Sequence, residues 1–407
     1  MLTPSKLASQ QVRVEIDTAA AQAVRRGHPW IWRTAIRRAP SQLPTGTAVL
    51  LHTIDLPFVA RGLWDAESPI AARVYTTEPG NVLDLSLLTN ATSRAIEARE
   101  SWFDHADTDA YRLCNGEGDR VPGVVLDRYG DVVVGRFDGD AIGPWSKALL
   151  EALWPLLRSR GVRSLAWREH RREKASLSTV AGEPMPNRVT VNERGMRMVV
   201  DLAHGQKTGA FLDQRENRRR VRRISQGARV LNLFSYAGGF SCAAALGGAS
   251  HVTSVDIAHP AHAIAQETFR LNGLEPASHG FVTSDVFTWV AQAAQRGEHF
   301  DVVISDPPSF APSERTLPRA LSAYRKLHEA CVRLVARGGV FCAASCSSHV
   351  SLEAFLSTLD DQVTAGRQFR VLETFGQPMD HPTTPGWPEG RYLKFVVLGE
   401  VAPSIAR

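Results

Sequence analysis

From about Gly195 onward the chain alternates short apolar runs with longer amphipathic segments, and this alternation limits the fold more than any other feature of the sequence. Arg229 to Phe234, His251 to Val255, Gly280 to Thr283, Asp301 to Ser305, Gly339 to Ala344, Arg370 to Thr374 and Arg391 to Leu398 read as strands. Phe240 to Leu246, Pro260 to Asn272, Val286 to Arg296, Arg319 to Ala336 and Leu352 to Val363 read as the helices between them. Repeated strand and helix bury their apolar sides together as a parallel sheet covered on both faces. The expected fold class is α/β, a doubly wound domain of seven strands.

The earlier part has a different rhythm. From Gln11 to about Tyr75, short apolar segments broken by Gly and Pro suggest a small β-rich module, with one short helix over Ala19 to Arg26. Between about Leu83 and Asn192, helices at Leu87 to His105 and Trp145 to Arg158 mix with strands near Tyr111, Val124, Val132 and Ser164, the pattern of a small α+β domain. The expected division is therefore 1–80, 81–192 and 193–407. A length of 407 residues with 43% hydrophobic content suits two or three such cores.

No apolar run reaches the ~18 residues that span a bilayer, and Met1 to Val14 lacks a basic-then-apolar leader, so a soluble, cytoplasmic protein without membrane contact is expected. Five cysteines without paired spacing suggest free thiols in a reducing compartment and neither disulfides nor a metal site. The formal charge of +5 gathers in arginine patches: Arg25 with Arg26, Arg33 with Arg37 and Arg38, Arg168 to Arg172, and Arg215 through Arg223. Any one patch could be a solvated face. Four together favour a nucleic acid partner, with Arg25, Arg26, Arg33, Arg215 and Arg218 as candidate phosphate contacts.

The first strand of the alternating region empties into Ser235-Tyr236-Ala237-Gly238-Gly239-Phe240. Glycines there let a backbone approach a ligand at the start of the next helix, yet the Gly-x-Gly-x-x-Gly spacing that seats a pyrophosphate is missing. Asp256 and Asp285 follow at the ends of the next two strands, placed for ribose hydroxyls and an adenine edge. A loop followed by two such acids describes an adenosine pocket of the S-adenosylmethionine type.

Two later runs point to a nucleobase as the substrate. Asp306-Pro307-Pro308-Ser309-Phe310 follows a buried strand with a carboxylate, two rigid residues and an aromatic ring. These suit a slot where a flat heterocycle is stacked and bonded along its edge. Ser345-Cys346-Ser347 sets a thiol where a neighbouring strand ends, as a nucleophile should be set. Cys331, Cys342, Cys242 and Cys114 fall within helix or strand patterns and read as core.

The resemblance of these motifs to one family is specific. Gly205-Gln206-Lys207-Thr208-Gly209-Ala210-Phe211-Leu212-Asp213-Gln214-Arg215, then Asn232 to Phe240, Asp306 to Phe310, Ser345 to Ser347 and Pro388 to Lys394, resemble the large-subunit ribosomal RNA methyltransferase I family. Upstream, Gly27-His28-Pro29-Trp30 and the Gly62 to Arg73 region look like that family's PUA domain, and Asn115 to Arg128 like its central domain. Ala210 departs from the pattern, which usually has a second aromatic beside Phe211.

The resemblance implies a Rossmann-like methyltransferase domain preceded by PUA-like and α+β domains, forming 5-methylcytidine with S-adenosylmethionine. It implies that Gln206, Lys207, Thr208 and Phe211 close over the cofactor beside Ser235, Tyr236, Gly238, Asp256, Asp285 and Asp306. Carbon 5 of cytosine becomes nucleophilic only after a thiolate adds to carbon 6, the role of Cys346. Asp306 would hydrogen-bond or protonate N3, with Pro307, Pro308 and Phe310 against a flipped-out or single-stranded base. A guanine-N2 methyltransferase would share all but Cys346, and an inactive RNA-binding assembly factor would not need the cofactor acids. The modified nucleotide, the oligomeric state (a homodimer being one option) and the base that removes the carbon 5 proton are not legible.

Overall fold

A computed structural model of the chain describes residues 12–171, 174–311, 313–364 and 366–401. Residues 1–11, where the sequence shows no leader pattern, and Arg172 of the third arginine patch lie outside these. The chain divides into two compact units. The first comprises Met1–Val191, Asp201–Leu212 and Met379–Gly390, and the second Asn192–Val200, Asp213–Pro378 and Arg391–Arg407.

The first unit holds two sheets. Six short strands between Val12 and Thr76 form one, ordered Trp30–Trp32, Ile70–Thr76, Ala60–Trp64, Ala48–His52, Val12–Ile16, Ile36–Arg38. Its core is aliphatic, with Val14, Ile31, Leu51 and Ala60 fully buried. The second sheet has five strands, from Ala110–Asn115 through Val124–Tyr129, Val132–Phe137 and Ser164–Arg171 to Lys174–Gly182. It buries Leu126 and Val133 together with Leu88, Ile96, Leu149 and Leu153 from the helices Leu85–Trp102 and Gly143–Ser159. The strand Lys174–Gly182 has no apolar alternation to announce it; it exists because Ser164–Arg171 offers it an edge.

The segment Met379–Gly390 closes this unit. Asp380 accepts the Arg112 amide at 3.0 Å, the Pro382 carbonyl accepts from Asn115 at 2.8 Å, and the Trp387 ring meets Trp30 edge-on at 5.2 Å.

The second unit is the doubly wound sheet. Its strands are β1 (Arg229–Leu233), β2 (His251–Asp256), β3 (Gly280–Thr283), β4 (Phe300–Ser305), β5 (Val335–Ser345), β6 (Phe369–Phe375) and β7 (Lys394–Glu400). Their spatial order is β3-β2-β1-β4-β5-β7-β6, parallel except for β7, which runs against both β5 and β6. The order reverses between β1 and β4, so a crevice for a ligand opens at their carboxyl ends.

Two boundaries differ from expectation. The helix expected to reach Ala336 stops at Arg333, and β5 begins at Val335 rather than Gly339, because Val335 already pairs with Phe300. The helix expected over Leu352 to Val363 is only Leu352–Leu356. Ser357 and Thr358 turn their hydroxyls back onto the Ala354 and Phe355 carbonyls at 2.8 and 2.6 Å, a local bond that competes with helix continuation.

Candidate active site

The crevice between β1 and β4 is shaped first by backbone. Leaving β1, Phe234 has φ 58°, Tyr236 φ 46° and Gly238 φ 72°. Two bulky residues in the left-handed region cost roughly 1–2 kcal/mol each, a strain that clusters at functional loops. Gly238 has no alternative, since a Cβ there would lie 2.6 Å from that of Ala265. The turn is held by the Tyr236 amide donating to Asp256 Oδ2 at 2.7 Å and the Ser235 amide to the Val255 carbonyl at 3.1 Å. Asp256 Oδ1 also accepts the Ala258 amide at 2.8 Å. The acid at the end of β2 thus binds the loop together as well as lying at its rim.

Buried polar groups at this point ask for a ligand. Ser235 Oγ and Asn232 Oδ1 are buried and have no hydrogen-bond partner within the protein. Since buried polar atoms are nearly always paired, a polar molecule in the crevice is the natural complement. Asp285 is exposed and caps the helix Val286–Gln295, accepting the Thr288 amide and hydroxyl at 2.9 Å each. Those bonds hold its carboxyl below the ordinary range.

On the β4 side, Asp306 Oδ2 accepts from the amide of buried Gln214 at 3.0 Å, and Gln214 in turn accepts from Asn217 at 2.6 Å. Pro307 is buried and Pro308 exposed, while the Phe310 ring lies tilted against Tyr324 with centroids 4.8 Å apart. Tyr324 comes from the helix Leu317–Arg333 and is fully buried. Its hydroxyl donates to Ser345 Oγ at 3.0 Å. The Ser347 hydroxyl donates to the Ala311 carbonyl at 3.1 Å. The two base-directed motifs are therefore physically tied, by one tyrosine and one serine that flank the thiol.

Cys346 itself stands one residue past the end of β5 and is half-buried; the other four cysteines are buried. Burial pushes Cys242, Cys331 and Cys342 up to about 12 and Cys114 higher still, so these four thiols stay protonated and inert.

The site can be compared with known proteins. The family model of S-adenosylmethionine-dependent methyltransferases matches residues 151–384, and that of a PUA-like domain matches residues 14–77. Ribosomal RNA large subunit methyltransferase I of Escherichia coli O1:K1 / APEC is 34% identical over 388 residues, spanning 94% of this chain and 98% of that protein. The protein of the same name from Shigella boydii serotype 4 aligns to the same extent. The chain belongs to the ribosomal RNA large subunit methyltransferase I family.

Its cofactor is S-adenosylmethionine. The fold agrees: the crystal structure of SMU.776 complexed with SAH covers 95% of this chain and 100% of its own at a TM-score of 0.85 and 24% identity. A SAM-dependent methyltransferase from Agrobacterium tumefaciens covers 74% of this chain and 92% of its own, with a TM-score of 0.51 and 21% identity. The orphaned hydroxyl and amide oxygen beside the strained loop fit that cofactor, and Ser235, Tyr236, Gly238, Asp256, Asp285 and Asp306 all stand at carboxyl ends of strands in the second unit.

Gln206, Lys207, Thr208 and Phe211 belong to the first unit. There the Thr208 hydroxyl donates to Asp127 and meets Tyr129 Oη at 2.8 Å, and Lys207 lies 4.4 Å from the Phe211 ring centre. Thr208 is thus committed to the central sheet. Ala210 sends its amide to the same Tyr129 hydroxyl at 3.1 Å.

The arginine patches divide. Arg25 and Arg26 are exposed, as phosphate contacts must be. Arg33 is half-buried over Trp64 and bonded to the Ser68 carbonyl at 2.9 Å. Arg215 and Arg218 correct the expectation: they are 1% and 6% exposed, and Arg218 is paired with buried Glu193, which withdraws both from a phosphate. On the same helix it is Arg219 and Arg223 that face outward. Arg168 is also buried, donating to the Leu202 carbonyl.

Two residues near the thiol went unnoticed in the sequence. Tyr324 sits in an ordinary helical pattern and carries no motif. Lys394 is the last residue of the Pro388 to Lys394 run, and its burial, 3% exposed at the start of β7, was the signal that only packing reveals.

Proposed function

We propose that the chain methylates carbon 5 of a cytidine in large-subunit ribosomal RNA through a covalent adduct with Cys346. The observation that carries this reading is the position of Cys346: of five thiols it alone is not buried, and it stands at a strand end beside the motif that begins at Asp306. Ribosomal RNA as substrate rests on the names of the relatives and on the PUA-like match. The parts 1–80 and 81–192 would grip RNA, and 193–407 would carry the chemistry.

S-adenosylmethionine supplies an electrophilic methyl group when bound. The residues of the chain do the rest. Cys346 as thiolate adds to carbon 6 of the base, and Asp306 hydrogen-bonds N3, where charge gathers as sulfur adds. Pro307 and Pro308 stiffen the approach to the base edge. Carbon 5 takes the methyl group, loses its proton to a base not assigned here, and sulfur departs, restoring the ring. The base must leave its stack for sulfur to reach carbon 6.

The experiment is to incubate the full-length protein with S-adenosylmethionine and ribosomal RNA containing 5-azacytidine, beside Cys346→Ala. A covalent protein–RNA adduct in the wild type alone supports the reading. An adduct that persists in C346A, or methyl groups found on guanine, overturns it.

A further inference from the structure

Lys394 is a buried cation whose surroundings do not explain it. In register it stands opposite Ser345, the residue before the thiol. Its ammonium donates to the carbonyl of Ser347, the residue after the thiol, and to that of Tyr392 at 2.8 Å. An ammonium has three N–H donors. The third has no hydrogen-bonded protein acceptor among the described residues, and no carboxylate there pairs with Lys394. A buried charge without a counter-charge is costly and is kept where it serves a site. Burial draws this ammonium down to about 8, and the charge of Cys346 is what opposes the fall.

We propose that Lys394 is the positioning residue of the nucleophile: clamped between the Ser347 and Tyr392 carbonyls, it steadies the Ser345 to Ser347 turn and holds Cys346 as a thiolate. The thiol proton passes to solvent, and the third N–H of Lys394 faces the sulfur anion. This rests on the reading of Cys346 as nucleophile. The charged and titratable groups around the thiol are Lys394 from β7, Tyr324 from the helix Leu317–Arg333, and Asp306 beyond β4, which shares Tyr324 as a neighbour. Tyr324 is pushed up to about 12 by burial and stays neutral, and Asp306 opposes a thiolate, so Lys394 is the cation among the three.

The test reads the thiol directly, without RNA. The full-length protein is alkylated with iodoacetamide between pH 5 and 10, and carbamidomethylated Cys346 is quantified by peptide mass spectrometry; the four buried thiols and C346A give the background. K394M is expected to slow alkylation at pH 7 about tenfold and to move the inflection of the profile upward by about one unit. K394R, which keeps the charge, retains a profile near that of the wild type. A K394M profile coinciding with the wild type overturns the proposal, as does a K394R shift as large as that of K394M, which would mean packing and not charge. Should K394M fail to fold by circular dichroism, K394Q takes its place with the same two outcomes. Methyl transfer by C346A would sink the nucleophile reading whatever the profiles show, so the two failures are separable.

Discussion

The sheet of the second unit carries two kinds of site, one at β1 and β2 and one at β4, β5 and β7, and they are built by different means. At the first, main-chain amides do the holding: Asp256 collects those of Tyr236 and Ala258, and the loop pays in backbone strain. At the second, buried side chains hold one another: Gln214 on Asp306, Tyr324 on Ser345, Lys394 beside Cys346. A cofactor shared by many enzymes can be met by a backbone shape. Choosing one atom of one base calls for particular side chains.

The largest effect should fall on the second site alone. C346A is expected to lower methyl transfer about a thousandfold or more while leaving the S-adenosylmethionine affinity unchanged, measured by tritium transfer and calorimetry. A matching loss of cofactor affinity would break the separation of the two halves.

Acid should also act on the side-chain half. His328, packed on Tyr324 and Phe355, is held neutral by burial, its ammonium-like form suppressed down to about 4. The unfolded chain binds that proton near the ordinary 6.5, so stability is fully present above pH 6.5 and falls as pH drops toward 4, by about 3 kcal/mol for this one group. Urea midpoints between pH 7 and 4.5 for the wild type and for H328Q, whose neutral amide does not titrate in this range, check this. The variant should show a shallower decline.

D256A should weaken S-adenosylmethionine binding by about 2 kcal/mol, some thirtyfold in Kd, because two amides of the loop lose a charged acceptor. Adduct formation at saturating cofactor should survive if the halves are independent. Y324F should be the mildest, costing about 1 kcal/mol of stability for the lost bond to Ser345. A larger fall in the maximal rate than in cofactor affinity would locate the effect on the thiol side.

These differences also explain what the sequence could say. The alternation from Arg229 onward announced the sheet because burying apolar faces is a local pattern with a period. Cys346 was legible by the same means: its neighbours Cys331 and Cys342 sat inside periodic runs and it did not. Lys394, Tyr324 and Gln214 were not, since their importance comes from which distant residue each faces, and no period records that. Arg218 misled for the same reason. A basic run describes charge along the chain, whereas the partner that buries Arg218, Glu193, lies outside the run. The strand Lys174–Gly182 was hidden because its place is conferred by the neighbouring strand's edge.

The segment Met379–Gly390 has a bearing on how the molecule is made. It belongs to the first unit, yet it is synthesised after nearly all of the second, and the final strand of the second unit follows it. Neither unit corresponds to an uninterrupted stretch of message. A nascent chain that has released its first two hundred or so residues from the ribosome cannot yet place Trp387 on Trp30 or Asp380 on Arg112, so the usual order of amino-terminal domain first is not open to it. Maturation of both units waits for the last residues to emerge, and a premature stop near the end would leave both unfinished at once.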